Sequence, residues 1–275
     1  MLTELHGKGG QVCEPARLQQ LRCPLLIRSS SEDVITGEIV QVMRTINPRW
    51  WLAEFLNVAL GAKRFHQQVY RRLRIEPWVN QTPYPRELLP WKEGSTQVDV
   101  VISWENPPTT VFIEAKYQAE LSWRTSHSNS SRRYPGDQLI RNIRVGLHEC
   151  GYFRGNRLFE WKPREFVVVV LSPHANHSLV HRYRNVQTLL RSIPHSEELA
   201  GLPSPPFVGE ISYRQVSDVL RHSRRFMSRP ERVLAEELDG YLQFKRVSMV
   251  ADESPRDRRS AMLWPAQQLP EADTL

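Results

Sequence analysis

Asp99, Glu114 and Lys116 are the residues of this chain whose types and spacing could do chemistry. They lie in two apolar runs, Gln97 to Trp104 and Thr109 to Tyr117, joined by the turn-forming stretch Glu105-Asn106-Pro107-Pro108. Alternating apolar residues around such a turn predict a β-hairpin. If the hairpin is symmetric about the Asn106–Pro107 bond, residues whose numbers sum to 213 face each other, and Asp99 stands opposite Glu114. Directly opposed residues of an antiparallel pair have Cα atoms only about 4.5–5.5 Å apart, so two carboxylates and an amine converge. Like charges facing each other on a sheet are unfavourable unless something neutralises them. A hard divalent cation such as Mg²⁺ or Mn²⁺, which takes one or two carboxylates plus water and substrate phosphate, would turn repulsion into ligation. It would also polarise a phosphoryl oxygen and acidify bound water.

Successive strand side chains point to opposite faces. That rule puts Val98, Val100, Ile102, Trp104, Val111, Ile113, Ala115 and Tyr117 on a face that must bury itself, and Gln97, Asp99, Val101, Ser103, Thr110, Phe112, Glu114 and Lys116 on the other. The plain alternative is a solvated salt-bridge cluster on an exposed strand face. A glutamate and a lysine two apart carry little information alone; an aspartate placed opposite the glutamate, on a hairpin whose other side is core, carries more.

At Asp99 and Glu114-Ala115-Lys116 the chain resembles the PD-(D/E)XK phosphodiesterase superfamily, over about residues 30 to 172. The superfamily often has proline before the aspartate, where this chain has Val98. The resemblance implies Asp99 and Glu114 as ligands of Mg²⁺ (or Mn²⁺), Lys116 as the residue assisting the attacking water, and a nuclease acting on DNA more readily than on RNA. By association it implies a part in restriction or antiviral defence. It also implies a glutamate on an upstream helix pointing at the metal: Glu32 is the first choice, Glu38 and Glu54 its rivals. A polar residue on the helix after the Glu-x-Lys strand is expected to face the site, with Gln138 and Arg141 the candidates, and Gln138, Arg141 and Arg144 are expected to contact nucleic acid.

The elements that must position these residues are legible in the periodicity. Apolar residues at Ile35, Ile39, Val42 and Ile46 follow Ser31, a plausible N-cap, and an acidic first turn, which predicts a helix. Asn47-Pro48 starts a second, through Trp51, Phe55 and Leu56. The stretch Pro77 to Trp91 predicts a short edge strand, with Trp78, Tyr84 and Trp91 as packing or base-stacking residues. The polar stretch Ser122 to Arg133 reads as a loop, Asp137 to His148 as an amphipathic helix, and Phe166 to Leu171 as a buried central strand. His174, His177 and His181 follow it without a nearby cysteine or carboxylate in sequence, a weak zinc pattern. Tyr213 to Phe226 and Pro230 to Phe244 predict two further helices.

The expected fold class is therefore α/β: a central mixed β-sheet flanked by helices, a restriction-endonuclease-like core, with additional C-terminal helices. The expected organisation is an irregular segment over 1–28, the core over 29–193, a helical extension over 194–247 after the proline-rich passage from Pro194 to Pro206, and a flexible tail over 248–275. Gly7-Lys8-Gly9-Gly10 lacks the spacing and the Ser/Thr of a phosphate loop.

At 275 residues the chain can bury a sizeable core. It has no run of eighteen apolar residues and no basic-then-apolar leader, so the expectation is a soluble, cytoplasmic protein with no membrane contact. Cys13, Cys23 and Cys150 make an odd count that does not describe a disulfide framework. The formal charge is +7 with a pI near 9.5. The excess is clustered: Arg141 to Arg191 holds nine Lys/Arg against three acids, and Arg214, Arg221, Arg224, Arg225, Arg229 and Arg232 form a second basic stretch. Such charge favours phosphate-backbone contact. The alternative function is a catalytically silent or partner-activated nucleic-acid-binding subunit that recruits another protein such as a helicase. A homodimer is a further expectation, because cutting both strands can require two copies.

Overall fold

The computed structural model describes residues 32–82, 88–117, 121, 134–154 and 162–245. The expected irregular segment over 1–28, the Ser31 cap, Tyr84, the whole Ser122–Arg133 loop and the tail over 248–275 lie outside the described residues.

Among those residues a five-stranded mixed sheet is flanked by helices on both faces, an α/β fold. The strands are β1 (Arg71–Gln81), β2 (Thr96–Glu105), β3 (Thr109–Ala115), β4 (Glu165–Ser172) and β5 (Val208–Ser212), and they lie side by side in chain order. β1, β2 and β3 are antiparallel; β3, β4 and β5 are parallel. The helices are α1 (Glu32–Thr45), α2 (Leu52–Leu60), α3 (Gln138–Glu149), α4 (Ser178–Arg184), α5 (Val186–Ser192), α6 (Tyr213–Ser223) and α7 (Arg229–Phe244). α3 is the crossover between parallel β3 and β4, and α4 and α5 carry the chain from β4 to β5, the long connections that parallel pairing requires.

The hairpin register is the symmetric one. Val100 pairs with Ile113, Ile102 with Val111, and Trp104 with Thr109. Each strand contributes alternately to two cores. Val100, Ile102, Val111, Ile113, Val167, Val169 and Leu171 pack with α1, α2, α6 and α7 on one face. Val101, Phe112, Phe166, Val168 and Val170 pack with α3, α4 and α5 on the other. The second face of the hairpin is therefore not open: α3 covers it. Val98 also departs from its expected side and joins the second core, just beyond the last ladder pair between β2 and β3.

Two glycines set how closely the layers approach. A Cβ on Gly146 of α3 would sit 2.0 Å from the Phe166 ring of β4, and one on Gly209 of β5 would sit 2.6 Å from the carbonyl oxygen of Ala59.

Two boundaries differ from the sequence expectation. The edge strand is not a short element within Pro77–Trp91 but the eleven-residue β1, starting at Arg71. Its exposed arginines hide the alternation, and Pro77 is tolerated because an outer strand need not donate on its free side. The core also does not end at 193. β5 extends the same sheet, while Val216, Val219 and Leu220 of α6 and Leu238 and Leu242 of α7 fill the first core. The described part of that segment, 194–245, is part of one body with the sheet. β5 escapes sequence reasoning because five residues after a proline-rich passage are too few to show a period.

Candidate active site

The candidate site lies where β3 and β4 end. Lys116, one residue past β3, donates its backbone N–H to Leu171 of β4 at 2.7 Å, so the lysine stays in line with the sheet. The carboxyl ends of parallel strands are where open α/β sheets leave a crevice for ligands. Asp99, Glu114 and Lys116 come together here, and all three are buried; Glu114 is 0% exposed. The cluster is therefore not a solvated surface network.

Asp99 on β2 accepts the backbone N–H of Ala115 at Oδ2, 2.8 Å away, which ties it across the hairpin. Ala115 follows Glu114 directly, so this bond sets the Asp99 carboxyl beside Glu114, close enough for the two charges to oppose each other. Burial first, and the Glu114 charge second, push it well above the usual aspartate range; the Lys116 charge opposes them.

Glu114 is held from three sides. Lys116 Nζ stands 2.7 Å from Oε1, Gln138 Nε2 donates to the same oxygen, and Asn142 Nδ2 donates to Oε2 at 2.8 Å. Asn142 Oδ1 accepts in turn from Thr96 Oγ1 at 3.2 Å. Gln138 and Asn142 are four residues apart, and so share one face of α3. The helix starts where it does because Asp137 caps it, accepting the Ile140 N–H at 2.9 Å and the Tyr183 hydroxyl.

Of the three upstream glutamates, Glu32 is the one ion-paired with Lys116, at 3.5 Å, and its Oε2 accepts the Tyr117 backbone N–H at 3.0 Å. Burial raises its pKa above the ordinary value, with Lys116 opposing. Glu54 sits exposed on α2. Burial works against the Lys116 ammonium, but Glu114, Glu32 and Asp99 outweigh it and hold its pKa above the usual lysine range. Tyr213, the first residue of α6, donates its hydroxyl to the Lys116 carbonyl at 3.0 Å.

The donor set bears on a metal through its charge. Three carboxylates against one ammonium leave a formal surplus of two negative charges in a mostly buried pocket. That surplus must be met by protons, as the raised acids indicate, or by a divalent cation. Among the described residues, no three His, Cys, Asp or Glu side chains converge as a preformed cage. Two adjoining carboxylates fit Mg²⁺, which commonly keeps water and substrate phosphate in its remaining positions.

Other expected site residues are elsewhere. Arg141 and Arg144 do not form an accessible nucleic-acid surface: both are buried and ion-paired to Glu93, with Arg144 over the Trp91 ring at 5.3 Å. The helix turns them toward the segment before β2, because its opposite side must bury Leu139, Ile143 and Leu147. Gln138, also expected to meet nucleic acid, is engaged with Glu114 instead. Trp91 is occupied in packing, donating from Nε1 to Glu93. His177 and His181 lie near Glu210 of β5, a carboxylate the sequence separates from them by about thirty residues: Glu210 accepts the His177 backbone N–H at 2.8 Å and stands 3.7 Å from His181. The His177 ring meets Ser172 at 2.9 Å.

Sequence reasoning misses Asn142, Thr96 and Tyr213. Asn142 carries a usable signal, its four-residue spacing from Gln138; Thr96 and Tyr213 carry none. Comparison of the chain with family models, curated proteins and solved structures finds no match.

Proposed function

We propose that the chain is a metal-dependent phosphodiesterase, a nuclease of the PD-(D/E)XK kind with a restriction-endonuclease-like core, acting on DNA. The observation that carries this reading is the burial of Asp99, hydrogen-bonded to the backbone N–H next to Glu114, together with Glu114 itself and its ion pair to Lys116 at the carboxyl end of β3. A structural ion pair needs one acid and one base; a second buried acid is costly unless a cation is meant to share the site.

In this reading Asp99 and Glu114 hold Mg²⁺ or Mn²⁺, with Glu32 beyond them. When bound, the ion supplies charge neutralisation for a phosphoryl oxygen and a lower pKa for water. Gln138 and Asn142 fix the plane of the Glu114 carboxylate, so that its free lone pairs keep one direction. Lys116 offers a fixed positive charge to the phosphate as negative charge builds during in-line attack of water on phosphorus, and with Glu32 it orients that water. Restriction or antiviral defence is the cellular setting that the resemblance suggests.

The test is incubation of plasmid and single-stranded DNA with Mg²⁺ or Mn²⁺. Wild type is expected to cut, and Asp99→Ala and Lys116→Ala each to lose on the order of 100-fold or more. Equal cutting by wild type and both variants would sink the assignment.

One observation favours a second reading, a nucleic-acid-binding subunit that is silent until a partner protein arrives. Both Glu114 oxygens already receive protein donors, and Lys116 sits between Glu114 and Glu32. Wild-type inactivity together with tight DNA binding is the outcome expected for that state.

A further inference from the structure

Away from the carboxylate pocket, at the other end of α6, Arg221, His222, Arg224, Arg225 and Arg232 line an open depression of about 490 Å³ between the end of α6 and the start of α7. Every lining side chain is cationic or can become so. Carboxylates hold two of them: Arg221 pairs with Asp218 at 2.9 Å and Asp239 at 3.5 Å, and Arg224 with Glu236. Arg225 and Arg232 have no carboxylate partner among the described residues, so the groove keeps a positive surplus.

An aromatic pair adjoins it. Phe226, 48% exposed, stacks on Trp50 with ring centroids 5.5 Å apart and an interplanar angle of 18°. Arg225 lies 4.7 Å over the Phe226 ring and Arg49 lies 5.7 Å over Trp50. The Ser223 hydroxyl donates to the Trp50 carbonyl, fixing the two short 3₁₀ turns, Pro48–Trp50 and Arg224–Phe226, against each other. An exposed large aromatic is unfavourable in water, and this one is held in a flat, stacked orientation.

We infer that this groove and the Trp50–Phe226 stack form a second binding surface for a single strand of nucleic acid, separate from the carboxylate pocket. A row of cations tracks the phosphates of a strand, and the outer faces of the Trp50–Phe226 stack receive its bases once Arg225 and Arg49, which lie over those rings, swing to the phosphates, the combination used for single strands without sequence preference. An acidic peptide or an anionic membrane would satisfy the arginines and leave the stacked rings unexplained. Helix α6 connects the two places. Tyr213 at its start touches Lys116, and Arg221 lies eight residues on, about 12 Å along the axis at 1.5 Å per residue. The inference rests on the nuclease reading for its choice of ligand and adds a place where the strand is gripped away from the scissile bond.

The test is fluorescence anisotropy of the full chain with a labelled single-stranded DNA 20-mer in EDTA, where no cutting intervenes. The double variant Arg225→Gln/Arg232→Gln is expected to bind roughly 10-fold more weakly, with the salt slope smaller by about 0.7 for each phosphate no longer neutralised. Phe226→Ala is expected to weaken binding with the salt slope unchanged. Glu236→Gln, which releases Arg224, is expected to tighten binding, a result that misfolding cannot mimic. Unchanged affinity in all three overturns the inference. So does a loss confined to phosphatidylserine vesicles, which would make the groove a membrane surface. Failure here with Asp99-dependent cutting intact leaves the nuclease reading standing. Normal effects here with no cutting by wild type sink that reading alone.

Discussion

Asn142 Nδ2 donates to Glu114 Oε2 at 2.8 Å, and neither side chain has any exposure. A buried amide aimed at a buried carboxylate is a positioning contact, made by α3 on β3. Asn142→Ala removes the donor, leaving Glu114 short of one hydrogen bond and Thr96 without its acceptor. Because an unsatisfied buried polar group costs about 1–3 kcal/mol, the variant is expected to melt several degrees lower and to cut at least roughly tenfold more slowly. If Asn142→Ala retains full activity, the carboxylate does not depend on this clamp.

The carboxylate pocket predicts an unusual pH dependence in the absence of metal. Asp99 and Glu32 have folded pKa values raised above their ordinary ones. A raised carboxyl binds its proton more tightly folded than unfolded, so its stabilising share is present at pH values below the unfolded pKa and lost as pH rises through the folded one. In EDTA the melting temperature is therefore expected to fall as pH rises from about 4 into the neutral range, and Asp99→Asn, which mimics the protonated acid, to flatten that fall and melt higher near pH 7. Calorimetry across pH checks it; an Asp99→Asn variant less stable than wild type at pH 7 in EDTA contradicts it.

Divalent metal is expected to reverse this penalty. At about 100 times its dissociation constant a ligand that binds only the folded state stabilises it by about 2.7 kcal/mol. Mg²⁺ or Mn²⁺ should raise the wild-type melting temperature at neutral pH and leave Asp99→Ala unmoved. Equal shifts in both proteins would place the ion elsewhere.

Tyr213→Phe tests whether α6 supports the site. Removing one buried hydroxyl that donates to the Lys116 carbonyl is expected to cost about 0.5–1.5 kcal/mol of stability. Turnover is expected to fall more than substrate binding, since the segment carrying Lys116 is left with less support. Kinetics at varied DNA concentration separate the two; a change confined to KM would contradict a positioning role.

Gly146 sets propensity against packing. Alanine is the better helix former by about 1 kcal/mol, but its Cβ would lie 2.0 Å from the Phe166 ring, itself packed edge-on to Phe112 at 5.2 Å. Overpacking costs about 1–3 kcal/mol, so Gly146→Ala is expected to destabilise in denaturant unfolding, and Phe166→Leu in the same chain to recover part of the loss.

The hairpin and its register from Val100–Ile113 to Trp104–Thr109 are legible in the sequence because strand alternation and a proline-marked turn are local; Asp99 lies one residue beyond that ladder, where its carboxylate meets the Ala115 N–H. Helices α1, α3, α6 and α7 are legible for the same reason, a 3.6-residue period carried over three or more turns. What the sequence leaves undecided depends on contacts between distant segments. Which side of α3 meets the sheet turns Arg141 and Arg144 toward Glu93 and Asn142 toward Glu114, since a polar residue on an amphipathic helix shows its spacing but not its partner. β5 is too short to announce itself, yet its pairing with β4 brings Tyr213 to Lys116 from 97 residues away. Glu32 is one of three possible glutamates until the packing of α1 sets it beside Lys116. Chain-local periodicity determines where the acids stand along their strands; burial by α1, α3 and α6, a property of the whole fold, decides that they stand out of water, where their charge has to be answered.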